Sequence, residues 1–373
     1  MGDRGCMRKL FAEDSDRSSS LRVSLSLHVW NTCQEESGWL AQAGLSFLSY
    51  VTSIILTIVA RDYLLTNIIA ALEHPDRVRC LKGKVATVTQ EPFPMLTQLW
   101  LSSKDENLSV LPGAFLGGSA PCLQQIHLEG IPFPTLPSLI SSATDLVVLY
   151  LHRIPHTGYI SPEAMVASLA ALTRLCNLSI EFQSSTSRPS QSGSRRRLAP
   201  LTRAVLPALT SFEFRGASEY LEDLVAQIDT PRLSSIRITY FNQLVFQVPQ
   251  LFRFVGQTQV LELARFKFKH AQVNFRGSHV YISLYSEQVE SRRTHLALRI
   301  SCQGLEWQVS HLAKVLSQSS AVPSNVSHLS IGTCDLQPNW RDDMDYTKCL
   351  ELLRAWRRCG FLLRWQGLSL MCQ

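Results

Sequence analysis

Charge is scarce in this 373-residue chain: Asp, Glu, Lys and Arg make up 18% of it, against about a quarter in ordinary globular domains. Low charge together with 45% hydrophobic residues excludes an intrinsically disordered chain, which lacks the apolar surface to fold. Glycine and proline, at 18 and 17 residues, are too few for a collagen-like or linker-dominated protein. No Cys-x-x-Cys occurs, and no Cys/His cluster has zinc-site spacing, so no metal ligand set is read from the chain. His-Glu-x-x-His, the Walker phosphate loop and Gly-x-Gly-x-x-Gly are also missing. Their absence removes the usual signatures of zinc hydrolases, nucleotide hydrolases and dinucleotide enzymes. The expectation is a non-enzyme with no catalytic residue, cofactor or metal.

Positive charge is in excess but sits outside the patterned body. Of the net +6, Arg188, Arg195, Arg196 and Arg197 supply +4 from one Ser-rich stretch, and residues 351–373 supply a further +3. The remainder carries −1, whereas a nucleic-acid footprint is a basic face on the fold itself. Nucleic acid is therefore not an expected partner. The ten cysteines are scattered, and Cys122 and Cys176 lie inside apolar runs, as reduced cysteine does when it packs as a small hydrophobe. That usage points to a reducing compartment, the cytoplasm or the nucleus.

Residues 1–62 read as a poorly patterned N-terminal segment. Within it, Trp39 to Ala60 carries no charge, and its length reaches the roughly 20 residues that a membrane-spanning helix needs. Gln42, Ser46, Ser49, Ser53 and Thr57 fall on one stripe of such a helix. Two readings stay open: a core-associated helix over 39–60, or a single membrane span. Leu64 to Leu72 reads as an amphipathic helix closed by His74-Pro75.

From Leu96 a pattern of Leu-x-x-Leu-x-Leu returns with β-branched or aromatic substitutes. Its copies are Leu96/Leu99/Leu101, Leu123/Ile126/Leu128, Leu146/Leu149/Leu151, Leu175/Leu178/Ile180, Leu209/Phe212/Phe214 and Leu233/Ile236/Ile238. A weaker copy follows at Thr258/Leu261/Leu263. The central residues are 27, 23, 29, 34, 24 and 25 positions apart, close to the period of about 20–29 of leucine-rich repeats. Each copy predicts a short strand with two inward side chains. No copy buries its apolar face alone, so neighbours must stack. The fold expected is α/β: an irregular leucine-rich-repeat-like solenoid over residues 63–353, with a curved, mostly parallel sheet and outer helices. The Asn or Cys usual after the last strand leucine is replaced by Lys104, Ile131, Ile154, Gln183, Ala217 and Phe241, hence the irregularity.

The connections fit this plan. Ser161-Pro162-Glu163 is a helix start, and Tyr220 to Ile228 places Leu221, Leu224, Val225 and Ile228 on one helical face. Residues 183–200, rich in Ser, Arg and Pro, read as a flexible loop. After about residue 270 the period becomes two, in Val273-Asn274-Phe275, Val280/Ile282/Leu284 and Leu296/Leu298/Ile300. That predicts hairpin-connected strands finishing the sheet, then a helix over Leu305 to Leu316 and one more strand-like copy at Val326/Leu329/Ile331. Residues 354–373 read as a divergent basic tail.

Gly117 to Gln124, Ser142 to Leu146, Ser218 to Val225 and above all the string Pro155-His156-Thr157-Gly158-Tyr159-Ile160-Ser161-Pro162-Glu163-Ala164-Met165 resemble a fungal, mushroom-type family of F-box-associated leucine-rich-repeat-like proteins. The resemblance covers about Asn67 to Leu353, and no F-box is recognisable in residues 1–66. It implies an intracellular substrate-recognition module, in this family sometimes attached to an F-box that recruits a ubiquitin ligase. The expected partners are therefore a protein substrate and, for a ligase adaptor, the ligase's Skp1-type adaptor. The competing expectation is a membrane-anchored repeat protein held by 39–60.

Outward positions of the strands form the candidate partner-binding face. Trp100, His127 and Tyr150 supply an aromatic anchor of types enriched at interfaces. Glu213, Arg237 and Glu262 are expected as a charged ladder on three successive strands, with Arg237 between two carboxylates. Trp100→Ala is expected to cost binding alone, as on a solvated face.

Overall fold

Every complete Leu-x-x-Leu-x-Leu copy becomes a strand entered through a tight turn. The computed structural model describes residues 23–25, 54–58, 78–84, 92–103, 110–111, 113–184, 203–243, 246, 248–258, 268–286, 296–302, 305–317, 328–333 and 370–371. The early strands are β1 (Val23–Leu25), β2 (Ile54–Ile58), β3 (Val78–Lys84), β4 (Gln98–Ser102) and β5 (Gln125–Glu129). Next come β6 (Val148–Ile154), β7 (Asn177–Phe182), β8 (Ala204–Val205), β9 (Ser211–Gly216), β10 (Ile228–Asp229) and β11 (Ser235–Tyr240). The last are β12 (Phe268–Arg276), β13 (His279–Ser286), β14 (Leu296–Ser301), β15 (His328–Thr333) and β16 (Leu370–Met371). Helices are α1 (Leu136–Ser142), α2 (Pro162–Leu169), α3 (Ser218–Val225), α4 (Pro249–Gly256) and α5 (Leu305–Ser317).

Among the described residues, one 14-stranded sheet runs β1-β2-β3-β4-β5-β6-β7-β9-β11-β14-β13-β12-β15-β16, and β8 pairs with β10 separately. All of its pairings are parallel except those of β13 with β12 and β14. The central residues Leu99, Ile126, Leu149, Leu178, Phe212 and Ile236 are direct partners across adjacent parallel strands, as their spacing predicts.

The backbone repeats as the side chains do. Leu96, Leu123, Leu146, Leu175, Leu209 and Leu233, all fully buried, each donate a main-chain N–H to the carbonyl three residues earlier. The carbonyls of Thr97, Gln124, Val147, Cys176 and Thr210 each accept two successive N–H groups from the start of the next strand. Backbone groups at the strand entries are thereby satisfied, which a buried turn requires. Ile131 and Ile154, standing where the repeat class prefers Asn or Cys, instead join the core.

The helices cover one face of the sheet. Ser161 caps α2 by accepting the N–H of Ala164 at 3.2 Å, with Pro162 in the first turn. The expected helix Tyr220–Ile228 forms two residues early, as Ser218–Val225, and Ile228 leaves it for β10. Glu222 on α3 accepts the N–H groups of Gln250 and Leu251 at 2.8 Å each, so one helix caps the start of the next. Leu221, Leu224, Val309 and Leu312 meet the strand leucines in a single core. Each such side chain contributes about 1.5–3 kcal/mol on burial.

Three expectations are corrected. The helix over 39–60 gives way, within its described part, to strand β2, paired parallel to β1 and β3. Ile-Ile-Leu-Thr-Ile is uncharged and β-branched at four of five positions, as suits an interior parallel strand. No helix of the described residues is long and apolar enough to cross a membrane. The sheet also exceeds 63–353, since β1, β2 and β16 pair into it, the last from within the expected tail. Third, β12–β13–β14 form the expected hairpins, with Gly277-Ser278 in the first turn, yet they do not end the sheet. They fold back so that β14 lies beside β11, and β12 pairs on its other side with β15. Thr258, the first residue of the weaker seventh copy, is buried and donates its N–H to the Val255 carbonyl at 3.2 Å, the same entry turn as in the other copies. Its hydroxyl donates to that carbonyl at 2.8 Å. Residues 64–72, 185–202 and 261–263, for which a helix, a loop and a strand are expected, lie outside the described residues.

Candidate functional site

Side chains at alternate strand positions turn away from the core, and the pairing register sets them in rows. Lys82, Trp100, His127, Tyr150, Ser179, Glu213 and Arg237 are successive partners from β3 to β11. This row lies opposite the helix-covered core. Five of the six residues expected at the site, Trp100, His127, Tyr150, Glu213 and Arg237, therefore share one line. The sixth, Glu262, lies outside the described residues.

The place expected for Glu262 beside Arg237 is taken. Strand β14 pairs with β11 there and sets Ala297 opposite Arg237. Leu296, Leu298 and Ile300 continue the inward ladder of Ile236, Ile238 and Tyr240, so the returning hairpin strand satisfies the core. The three-charge ladder is corrected to one pair: Arg237 Nη1 donates to both Glu213 oxygens, at 3.4 and 3.2 Å. Both side chains are well exposed, and such pairs contribute only about 0.2–1 kcal/mol.

At the other end the row is a stack. The rings of Trp100 and His127 lie 3.6 Å apart, tilted by 12°. Lys82 Nζ sits 4.7 Å from the Trp100 ring centroid, a cation–π distance. Since β3 and β5 flank β4, Trp100 is held between Lys82 and His127. Tyr150 meets His127 edge-on at 4.5 Å, and His152 lies parallel to Tyr150 at 5.7 Å. His152 Nε2 and Ser179 Oγ, 3.0 Å apart, close the row. Burial, then the neighbouring His152 and Lys82, hold the His127 pKa at about 4. The imidazole is neutral at physiological pH, and Lys82 supplies the cation of the stack.

This packing corrects the picture of Trp100 as a free anchor. Both ring faces are covered, and its Nε1 is buried with no hydrogen-bond partner among the described residues. Trp100 offers an edge to a partner and at the same time holds its neighbours. Sequence reasoning also missed His152 and Lys82. For His152 the signal was available, since it follows Tyr150 by two positions on the same strand; Lys82 comes beside Trp100 only through the pairing of β3 with β4.

Two positions further along the strands, Glu181, Arg215, Thr239, Arg299, Tyr281 and Asn274 make a second row. With Glu213, Arg237, Arg276 and His279 they line a cavity of about 720 Å³. Arg215 pairs with Glu181 at 3.8 Å, and Arg299 donates to His279 Nδ1 at 3.1 Å. A count of charge along the chain hides this site, because its four arginines are scattered from residue 215 to 299 and converge only through the register.

Among the described residues, no group of three or more His, Cys, Asp or Glu side chains is placed to hold a metal ion. The described cysteines Cys80, Cys122, Cys176 and Cys302 are free. No family model, no curated protein and no solved structure matches this chain.

Proposed function

We propose that the chain is a non-catalytic protein-recognition module, a leucine-rich-repeat-like solenoid that reads a segment of a partner protein along its open sheet face. The observation that supports this reading is the continuous row from Lys82 to Arg237, already stacked and paired before any partner arrives. Side chains fixed in advance lose little freedom on binding, and that lowers the cost of association. Trp, Tyr and Arg are also the types that dominate interface energies. The row faces away from the helices, so an extended segment can lie across several strands without disturbing the core.

The resemblance to fungal F-box-associated proteins supports a more specific role, as a substrate adaptor of a ubiquitin ligase. Both levels are tested by tagging the chain in a mushroom-forming fungus and identifying co-purified proteins by mass spectrometry. The expected result is a partner enriched by the wild type and lost with Tyr150→Ala, a folded variant by its melting curve. Co-enrichment of the ligase's Skp1-type adaptor in both samples is expected for the ligase role. Identical captured sets with and without Tyr150 would overturn recognition by this face.

A further inference from the structure

The second row of the open face carries more positive charge than its neighbours balance. Four arginines, Arg215, Arg237, Arg276 and Arg299, line the cavity with two carboxylates, Glu181 and Glu213. Those carboxylates pair with Arg215 and Arg237, so Arg276 and Arg299 face the cavity with no carboxylate partner among the described residues. The local excess is +2 in a body whose net charge is near zero. Hydroxyl donors alternate with the guanidinium groups: in the register Arg215–Thr239–Arg299–Tyr281, each step is one strand, about 4.8 Å. Partial burial first, and then the nearby Arg215 and Arg276 cations, lower the pKa of Arg299.

We infer that this cavity seats a phosphate monoester carried by the partner's bound segment, with Arg299 and Arg276 on its terminal oxygens and Thr239 and Tyr281 donating beside them. The inference rests on the recognition reading above and names the chemistry that the face would select. A phosphorylated side chain brings about −1.5 to −2 charges at neutral pH and three acceptor oxygens. That matches a +2 excess set among hydroxyls better than a carboxylate, which has one charge and two oxygens. Guanidinium groups bind phosphate through parallel N–H donors. A nucleic-acid strand fits less well, because Glu181 and Glu213 interrupt the basic surface such a polyanion would need to follow.

The test presents immobilised protein with a peptide library bearing one central phosphothreonine between degenerate flanks, and with the same library unphosphorylated. The phosphorylated library should be retained selectively, and inorganic phosphate at high concentration should displace it. Arg299→Gln and Arg276→Gln should each lower retention by about 10-fold or more, the effect of losing one charge-assisted contact. Both side chains are exposed, and Arg299→Gln should melt no lower than the wild type, because it relieves repulsion from Arg215 and Arg276. Equal retention of the two libraries, or retention that both substitutions leave unchanged, would overturn the inference. So would Arg299-dependent binding of inositol hexakisphosphate or of a single-stranded oligonucleotide in preference to the phosphopeptides, which would assign the seat to a free polyphosphate or to nucleic acid. The two levels fail separately. Tyr150-dependent capture of a partner from phosphatase-treated extract would leave recognition standing and remove the phosphate seat. Selective phosphopeptide retention without any Tyr150-dependent partner would do the reverse.

Discussion

Trp100 and Leu149 stand two strands apart and on opposite faces, and truncating each tests a different force. Leu149 is fully buried, so Leu149→Ala should cost about 2–5 kcal/mol. Trp100→Ala removes a stack on His127 and a cation contact with Lys82, for which about 0.5–1.5 kcal/mol beyond area burial is expected. Thermal melts should therefore show a smaller but measurable loss for Trp100→Ala, and Trp100→Phe should restore part of it. A Trp100→Ala melt that overlays the wild type would contradict the stack. His127 makes a pH-dependent contribution. Its pKa is about 4 in the fold against 6.5 for a free side chain, so between those values the unfolded chain takes up a proton that the folded chain does not. Stability should be full above pH 6.5 and decline as the pH falls toward 4. Denaturant melts of His127→Asn should lack that part of the decline, and an unchanged acid sensitivity would show that His127 is not its source.

At the scale of elements, the turn after β5 and the junction of α3 with α4 are the points where one residue decides a local geometry. Gly130 has a φ of 66°, and a Cβ there would lie 2.6 Å from the Ser103 carbonyl oxygen. Gly130→Ala should cost about 2 kcal/mol or more, combining left-handed strain with a backbone clash, and a melting temperature equal to wild type would refute it. Glu222 gives the opposite pH sign to His127. Burial first of all raises its pKa from 4.5 to about 7, despite the backbone N–H groups of Gln250 and Leu251 that favour the carboxylate. Between those values the folded chain holds a proton that the unfolded chain releases, so stability falls as the pH rises from 4.5 to 7, by at most about 1.4 kcal/mol per pH unit. Glu222→Gln should flatten that slope. A slope that survived the substitution would assign it to another group.

The same scale shows what the sequence disclosed. The six leucine copies announced their strands because inward side chains must recur at fixed positions in a stacked sheet. β3 escaped notice because Gly83 stands where β4 has Leu101, which breaks the pattern without breaking the pairing. Within 39–60 the described residues, Ile54–Ile58, form a strand where a helix is expected, because an uncharged run is common to an apolar helix and to an interior parallel strand. The β-branched stretch Ile54–Ile58 was the clue. The aromatic part of the candidate site was legible from outward positions. Its arginine part was not, since convergence of Arg276 and Arg299 depends on a hairpin that returns to β11, a long-range choice that local pattern does not encode.

At the scale of the whole molecule, a recurring strand entry, a shared inward ladder and helices on one face leave the row from Lys82 to Arg237 on the other side of the sheet from the described helices. Toward β3 that side carries a stack held by Lys82, Trp100, His127, Tyr150 and His152, and from β7 to β12 the arginine-lined cavity. Among the described residues, the largest exposed apolar side chain is Trp307 on α5, at 57% exposure, which makes it the natural rival site. Site-specific photocrosslinking separates the two most directly. A photoreactive phenylalanine analogue is placed at Tyr150 in one sample and at Trp307 in another, and both are irradiated in cells. The account predicts a discrete crosslinked protein from position 150, absent from position 307. The same adduct from position 307, with none from position 150, would contradict recognition on the open sheet face.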